Sequence, residues 1–483
     1  MLKRVRIALT ALLLLAAVGV NAQVTTASMA GKVTDASNEP IIGATVQAVH
    51  QPSGSRYGTV TNVDGRYSIQ GMRTGGPYRV EISYIGYQTV IYKDITLQLG
   101  EVYNLNVEMS ESSELLNEVI VTAAKTKFTA EKTGATTNIS SAQMTQLPTV
   151  NRSISDIARL SPYANGMSFA GGDGRSTNFT IDGANFNNNF GLSSNLPGGG
   201  NPISMDAIEE VQVVVAPFDV RQTNFIGGGI NAITKSGTNT FRGTAYTYYR
   251  NQDMRGNRIN GEDLGARSDE SKTTYGFTLG GPIIKNKLFF FVNYEKEKTP
   301  GEVIKYRARE DGEDAKGMVS RTLKSDMEKV YNHLKDKYGY DAGSYTNFPA
   351  DEENTKLLAR IDWNITDRHR LSLRYNNTKN TAWNAPNGNS SDTGYRLNNT
   401  YRVGTQSMAF ANSMYSMDNK VQSWAADLNS RFTDKISNQL LFTYTNIEDM
   451  RGTNSSPFPF IDIMAGKDEN GNDLPKTIIS REY

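Results

Sequence analysis

No cysteine occurs among the 483 residues. That excludes disulfides, thiolate metal sites, iron–sulfur clusters, a catalytic cysteine and a lipid-modified N-terminal cysteine. Histidine is nearly absent. His50, His333 and His369 lie in unrelated contexts, which leaves little room for a histidine-rich metal centre or a Ser-His-acid triad. Neither charge is in excess. Lys+Arg number 51 and Asp+Glu 50, which argues against a nucleic-acid partner, whose surface is normally basic. Beyond the first residues no apolar run reaches the length of a membrane-spanning helix, and mean hydropathy is −0.49. A helical membrane protein is excluded, but a β-barrel, whose strands are only half apolar, is not. Glycine (43), tyrosine (24) and phenylalanine (18) are abundant.

The N-terminus predicts export. Lys3, Arg4 and Arg6 precede an apolar run from Ile7 to Val20, and small residues follow. A basic start, a short apolar core and Ala22 before Gln23 predict a secretory signal over 1–22, cut between Ala22 and Gln23. The run is too short to anchor comfortably in a bilayer.

Residues 23–110 show short stretches of period two separated by turn residues. Tyr78, Val80, Ile82 and Tyr84 share one face, and Arg79, Glu81 and Ser83 the other, as in a half-buried strand. Such spacing predicts a small β-sandwich. Gly31-x-Val33, Pro40-Ile41-x-Gly43-Ala44, Asn62-x-Asp64-Gly65-x-Tyr67 and Ser83-Tyr84-Ile85-Gly86-Tyr87 resemble the carboxypeptidase regulatory-like domain. The resemblance implies a seven-stranded sandwich at the front of an outer-membrane receptor. It does not imply peptidase activity, and no zinc ligand set accompanies it.

Residues 111–127 form a linker containing the β-prone stretch Leu116–Thr122. Read from the residues alone, it is either an ordinary linker strand or one that adds to another protein's sheet edge through main-chain hydrogen bonds. Its position resembles the TonB box of TonB-dependent receptors, at Glu118, Val119, Ile120, Val121 and Thr122. The resemblance implies contact with a TonB-type energy transducer of the inner membrane.

Residues 128–239 resemble the plug of the same family. Asn151–Ala158 looks like its early helix, with Ser153 or Asn151 as cap, and Arg175–Gly183 like a strand and turn. Met205–Val214 looks like a helix-to-strand step, and Gly227–Gly237 like the exit strand. Asn178-Phe179-Thr180 stands where many sugar importers carry Ile-Arg-Gly, a pattern closer to Oar-like than to SusC-like receptors. The clusters Gly171–Gly174 and Gly227–Gly229 lack the Lys-Ser/Thr of a phosphate loop. Tight turns explain them better than a nucleotide site does.

From 240 to 483 the pattern predicts the wall of a transmembrane β-barrel. Leu357, Ala359, Ile361 and Trp363 share one face, as do Leu371, Leu373 and Tyr375 opposite Arg370, Ser372, Arg374 and Asn376. Tight turns are expected at Gly280–Lys287, Asn364–Arg368 and Phe432–Ser437, with long connections between them, as in outer-membrane barrels. Phe289 and Phe291 break the alternation and read either as packing inward on the plug or as part of a simply buried strand. Met318–Tyr338 carries helical spacing. Seven strands are read here, whereas a barrel that holds a plug has about 22. The expected fold is therefore mainly β: a seven-stranded sandwich, an α+β plug, and the first part of a large antiparallel barrel in a truncated chain.

The family resemblance implies active import of a nutrient across the outer membrane of a Gram-negative cell. Loops and plug would bind the substrate, and the inner-membrane proton gradient would drive transport through the transducer. Outer-membrane lipid, an imported substrate of unknown identity and a surface lipoprotein lid are the candidate partners. The alternative is an adhesion or secretion-associated barrel without active import. No catalytic residue, cofactor or metal ligand is assigned.

Overall fold

The computed structural model describes residues 24–111, 119–122, 135–147, 149, 151–188, 196–215, 222, 226–254, 256, 258–263, 270–301, 306–346, 348, 351–384, 408–459, 461–467, 470, 471 and 473–478. The chain is mainly β.

Two sheets face each other near the N-terminus. One joins Ala27–Asp35 to Arg66–Met72, Val102–Asn104 and Val107–Met109. The last two pieces pair with the first in parallel, and Leu105 N donates to Ala30 O between them, so they act as one interrupted strand. The other sheet runs Ser55–Val60, Thr45–His50, Gly75–Ser83, Val90–Leu97, Val119–Thr122. Met29, Val33, Val46, Ala48, Tyr78, Val80 and Ile82 are fully buried between them. Apolar side chains at every second position are driven out of water onto one shared core. Tyr84, expected on that face, lies beyond the end of its strand and is exposed.

A middle unit follows, with a five-stranded sheet ordered Ala135–Ser140, Ile208–Val215, Gly228–Thr234, Asn178–Ile181, Ala184–Asn185. Its short helix Ile154–Ala158 starts three residues later than the sequence suggests. Arg152 takes a left-handed φ of 50°, and Ser153 Oγ accepts from Asp156 N at 3.4 Å, so Ser153 is the cap and Asn151 is not. The expected helix at Met205 is one 3-10 turn, Met205–Ala207, leading into Ile208–Val215.

The remaining residues build a seven-stranded antiparallel meander: Arg242–Asn251, Ser271–Ile284, Leu288–Thr299, Glu352–Asn364, His369–Asn384, Tyr415–Arg431 and Ser437–Gly452. One face packs on the middle unit. The other leaves Phe277, Ile361, Leu373, Trp424, Leu440 and Phe442 bare. An apolar band this wide, untucked against any other sheet, suits lipid and not water. Phe289 and Phe291 point inward and are buried, and Phe291 joins the core of the middle unit.

The strand at Gly280 differs from expectation. The chain stays extended through Ile284, and only Lys285–Lys287 turn, with Asn286 at φ 61°. The two glycines are there for close approach. A Cβ on Gly281 would meet the Phe241 ring at 2.4 Å, and one on Gly280 the Phe291 ring at 3.0 Å. At the loop end, Val319–Leu323 is a strand, and the predicted helix is shorter, Lys324–Tyr338. Its buried Met327 and Leu334 join Tyr340, Phe348 and Phe410 in a separate loop core. Among the described residues no helix is long and apolar enough to cross a membrane.

Candidate functional site

Val119, Ile120, Val121 and Thr122 form a strand that pairs in parallel with Val90–Lys93 of the N-terminal sandwich. Glu118, Ala22 and Gln23 lie outside the described residues. Sequence reasoning singled out these positions as the site; it placed Arg370, Ser372 and Arg374 on the polar face of a wall strand but did not join them to the charged seam beneath the middle unit, where most of the site chemistry gathers.

That seam has two clusters. In the first, the turn after Asn178–Ile181 puts Asp182 at φ 45° and Gly183 at φ 77°, which aims the Asp182 carboxylate at the exit strand. Thr234 N and Oγ1 donate to it at 2.9 and 2.6 Å. Two wall arginines reach the same turn. Arg360 Nη1 donates to Thr234 O at 2.8 Å, and Arg374 Nη1 donates to Ile181 O at 2.6 Å. Asp362 holds Arg360 in a fork, with both contacts at 2.9 Å, and accepts from Ser372 Oγ at 2.7 Å. Paired guanidinium–carboxylate forks of this kind fix geometry as well as charge.

In the second cluster, Glu295 on the wall accepts from Lys356 Nζ at 2.8 Å, Ser204 Oγ at 2.8 Å and Tyr246 OH at 2.9 Å. Lys356 and Glu295 are only 1% and 4% exposed. Two residues on, Asp206 pairs with Arg152, whose guanidinium lies 3.9 Å over the Tyr248 ring. Both clusters thus join the middle unit to the wall through ions withdrawn from water.

The sandwich grips the same seam. Arg73 reaches Asp362 at 3.7 Å and donates to Ser236 Oγ at 3.2 Å, and Arg370 of the wall stacks 3.7 Å over Tyr57. Thr25 Oγ1 donates to Asp427 at 2.7 Å. Leu99 N donates to Glu210 at 3.0 Å, and Gln212 Nε2 donates to Leu99 O. A cavity of about 420 Å³ lies where the three units meet, lined by Arg73, Asp182, Glu209, Arg360 and Asp427 among others. Among the described residues no cluster of three or more metal-ligating side chains occurs. His50 is buried, with Nδ1 2.7 Å from Ser53 Oγ, and burial pulls its pKa down to about 3.

Burial pushes the Glu210 carboxyl up to about 7, against the opposing pull of its Asn138 and Leu99 donors. An acid raised in the fold keeps its proton longer than when unfolded. Its contribution is full below about 4.5, declines as pH rises towards 7, and is flat above. Glu210→Gln should therefore match the parent in melting temperature near pH 4.5. It should gain about 3 kcal/mol by pH 8. Melting curves across that range check this, and a difference independent of pH would sink it.

Comparison with known proteins fits this architecture. The family model for the carboxypeptidase regulatory-like domain matches residues 28–110, and that for an outer membrane beta barrel domain matches residues 233–303. The TonB-dependent transporter Oar of Myxococcus xanthus is 25% identical over 376 residues, which are 72% of this chain and 33% of that protein. The chain resembles a TonB-dependent outer-membrane receptor of the Oar-like type. It spans about a third of the length of that relative. Among solved structures, the outer membrane transporter YddB from Escherichia coli has a TM-score of 0.46 at 14% identity, over 72% of this chain and 43% of that one. The siderophore receptor PirA from Acinetobacter baumannii has a TM-score of 0.42 at 18% identity, over 65% and 40%. The barrel match and the Myxococcus relative support an outer-membrane location. For a receptor of this type, the seam residues were partly within reach of the sequence. Lys356, Arg360 and Asp362 sit at even spacing on the face opposite Leu357, Ile361 and Trp363, and charges aimed into a lumen are what such a face would carry.

Proposed function

We propose that the protein imports a nutrient across the outer membrane by a TonB-dependent mechanism. In this reading residues 23–110 are the sandwich, 111–127 the linker with the TonB box, 128–239 the plug and 240–483 the partial barrel. The tight turns and the sandwich face the periplasm, and the long loops face outward. Substrate binds at the loops and the upper plug. A TonB-type transducer takes Glu118–Thr122 and pulls, and the proton gradient supplies the work. The step is a mechanical release of the plug and needs no covalent chemistry.

One observation carries the reading: the middle unit is pinned to a lipid-facing wall by the Asp182, Thr234, Arg360, Asp362 and Arg374 cluster. Charged hydrogen bonds in a small patch are strong when intact, yet they release together once strain misaligns them. A seat of this kind holds a plug and also lets it go. A surface lipoprotein lid remains a candidate partner on the loop side.

Deletion of 118–122 from the full-length receptor is expected to abolish uptake and leave surface binding of substrate unchanged. A growth screen on candidate nutrients supplies the substrate, and radiolabel uptake against surface binding reads the result. Retained uptake defeats active import and favours an adhesion or secretion-associated barrel.

A further inference from the structure

The segment proposed to meet the transducer already has a partner in its own chain. Val119, Ile120, Val121 and Thr122 register with Val90, Ile91, Tyr92 and Lys93. The pairing is parallel, whereas the other neighbours in that sheet are antiparallel. The route to it is short. Gln88 N donates to Ser110 O at 2.9 Å, and Tyr87 bridges Glu111, so the chain leaves the sandwich beside the start of the Val90–Leu97 strand. Only the seven residues 112–118 separate that exit from Val119, and closing so short a loop costs little entropy.

We infer that the Val90–Lys93 edge of the sandwich is a resting dock for the Val119–Thr122 strand, and that the transducer must displace the sandwich to engage it. This inference rests on the TonB-box reading of that segment. A strand added to a sheet edge is held by main-chain hydrogen bonds, and a transducer that binds by strand addition uses groups of the same kind. Mechanics requires the exchange. A pull on a strand still laddered to Val90–Lys93 is borne by the sandwich, which grips the wall through Arg73, Arg370 and Thr25. The load reaches the plug through residues 123–134 only once that ladder opens. Docking also lowers the apparent affinity for the transducer by the fraction of receptor that is undocked. A ladder of four residue pairs is short enough to open without unfolding the sandwich.

The absence of cysteine makes the test clean. Lys93→Cys together with Thr122→Cys, in the full-length receptor, places a cysteine pair where these 483 residues hold none. Directly paired strand residues lie within disulfide reach. The control is Arg56→Cys with Thr122→Cys, because Arg56 sits on the opposite edge strand of the sheet. Mild oxidation should link the first pair and not the second, as read by mass spectrometry. Binding of the C-terminal domain of the host's own transducer is then measured before and after reductant. The oxidised receptor should bind at least tenfold more weakly than the reduced one. No linkage at 93/122, equal linkage in the control, or equal and measurable binding in the two states overturns the inference. Linkage without transducer binding in either state, or in the unsubstituted receptor, upholds the dock and removes the transducer reading instead.

Discussion

Asp362→Asn is expected to cost about 3–5 kcal/mol of stability, the usual penalty for breaking one half of a buried ion pair, and to make the receptor leak. Asp362 has no exposed surface and stands between three partners: the donating Arg360 fork and Ser372 Oγ, and the Arg73 cation at 3.7 Å. The amide keeps the shape but loses the charge, and it turns an N–H₂ group towards a guanidinium. Arg360 then has Asp182, at 3.5 Å, as its remaining carboxylate, while still reaching Thr234. The middle unit, the plug of the proposed function, is thus held by a cation with too little to neutralise it. Equilibrium unfolding reads the stability loss. Conductance in planar bilayers and entry of a bulky antibiotic into cells read the leak. Arg73→Met removes only the sandwich's branch of the cluster and should cause a smaller loss with little conductance. An Asp362→Asn receptor as stable and as tight as the parent would remove the seam from the mechanism.

The wall and much of the sandwich were legible because their strands alternate on one clear axis. Leu373 faces out, and Arg374 and Asn376 face in, as the period-two reading of that strand requires. Two sandwich strands carry no clean period-two signal, for physical reasons. Ser55–Val60 turns Ser55, Tyr57 and Thr59 inward, so its buried face carries hydroxyls and no apolar contrast marks it. Val90–Leu97 contains Asp94 at φ 61°, and this kink breaks the period between Val90–Ile91 and Ile95–Leu97. The seam was harder still. Asp182 meets Arg360 across 178 residues of chain, and Arg73 meets Asp362 across more. Periodicity shows which way a side chain points but not which distant residue meets it. The stretch at Val119 reads either as a linker strand or as one that adds to another protein's sheet edge, and neither reading points to Val90–Lys93 of its own sandwich.

The second large effect is expected at Lys356 and Glu295. Glu295→Leu strands an ammonium group that is 1% exposed, and should cost about 3–5 kcal/mol. Lys356→Met should cost less, because Ser204 and Tyr246 hydroxyls still donate to the carboxylate that remains. The double variant should return to within about 1 kcal/mol of the parent, since apolar residues of similar volume commonly replace a buried pair without loss. The cycle therefore predicts a coupling energy of about 2 kcal/mol or more. The informative readout is function. Glu295 is also what holds Ser204, the cap of the Met205–Ala207 turn, against the wall. If the pair serves to pin the plug more than to stabilise the fold, the double variant will be stable yet leaky in planar bilayers. A double variant as tight as the parent would make the pair a packing feature and leave the latch of the proposed plug to the Asp182 cluster.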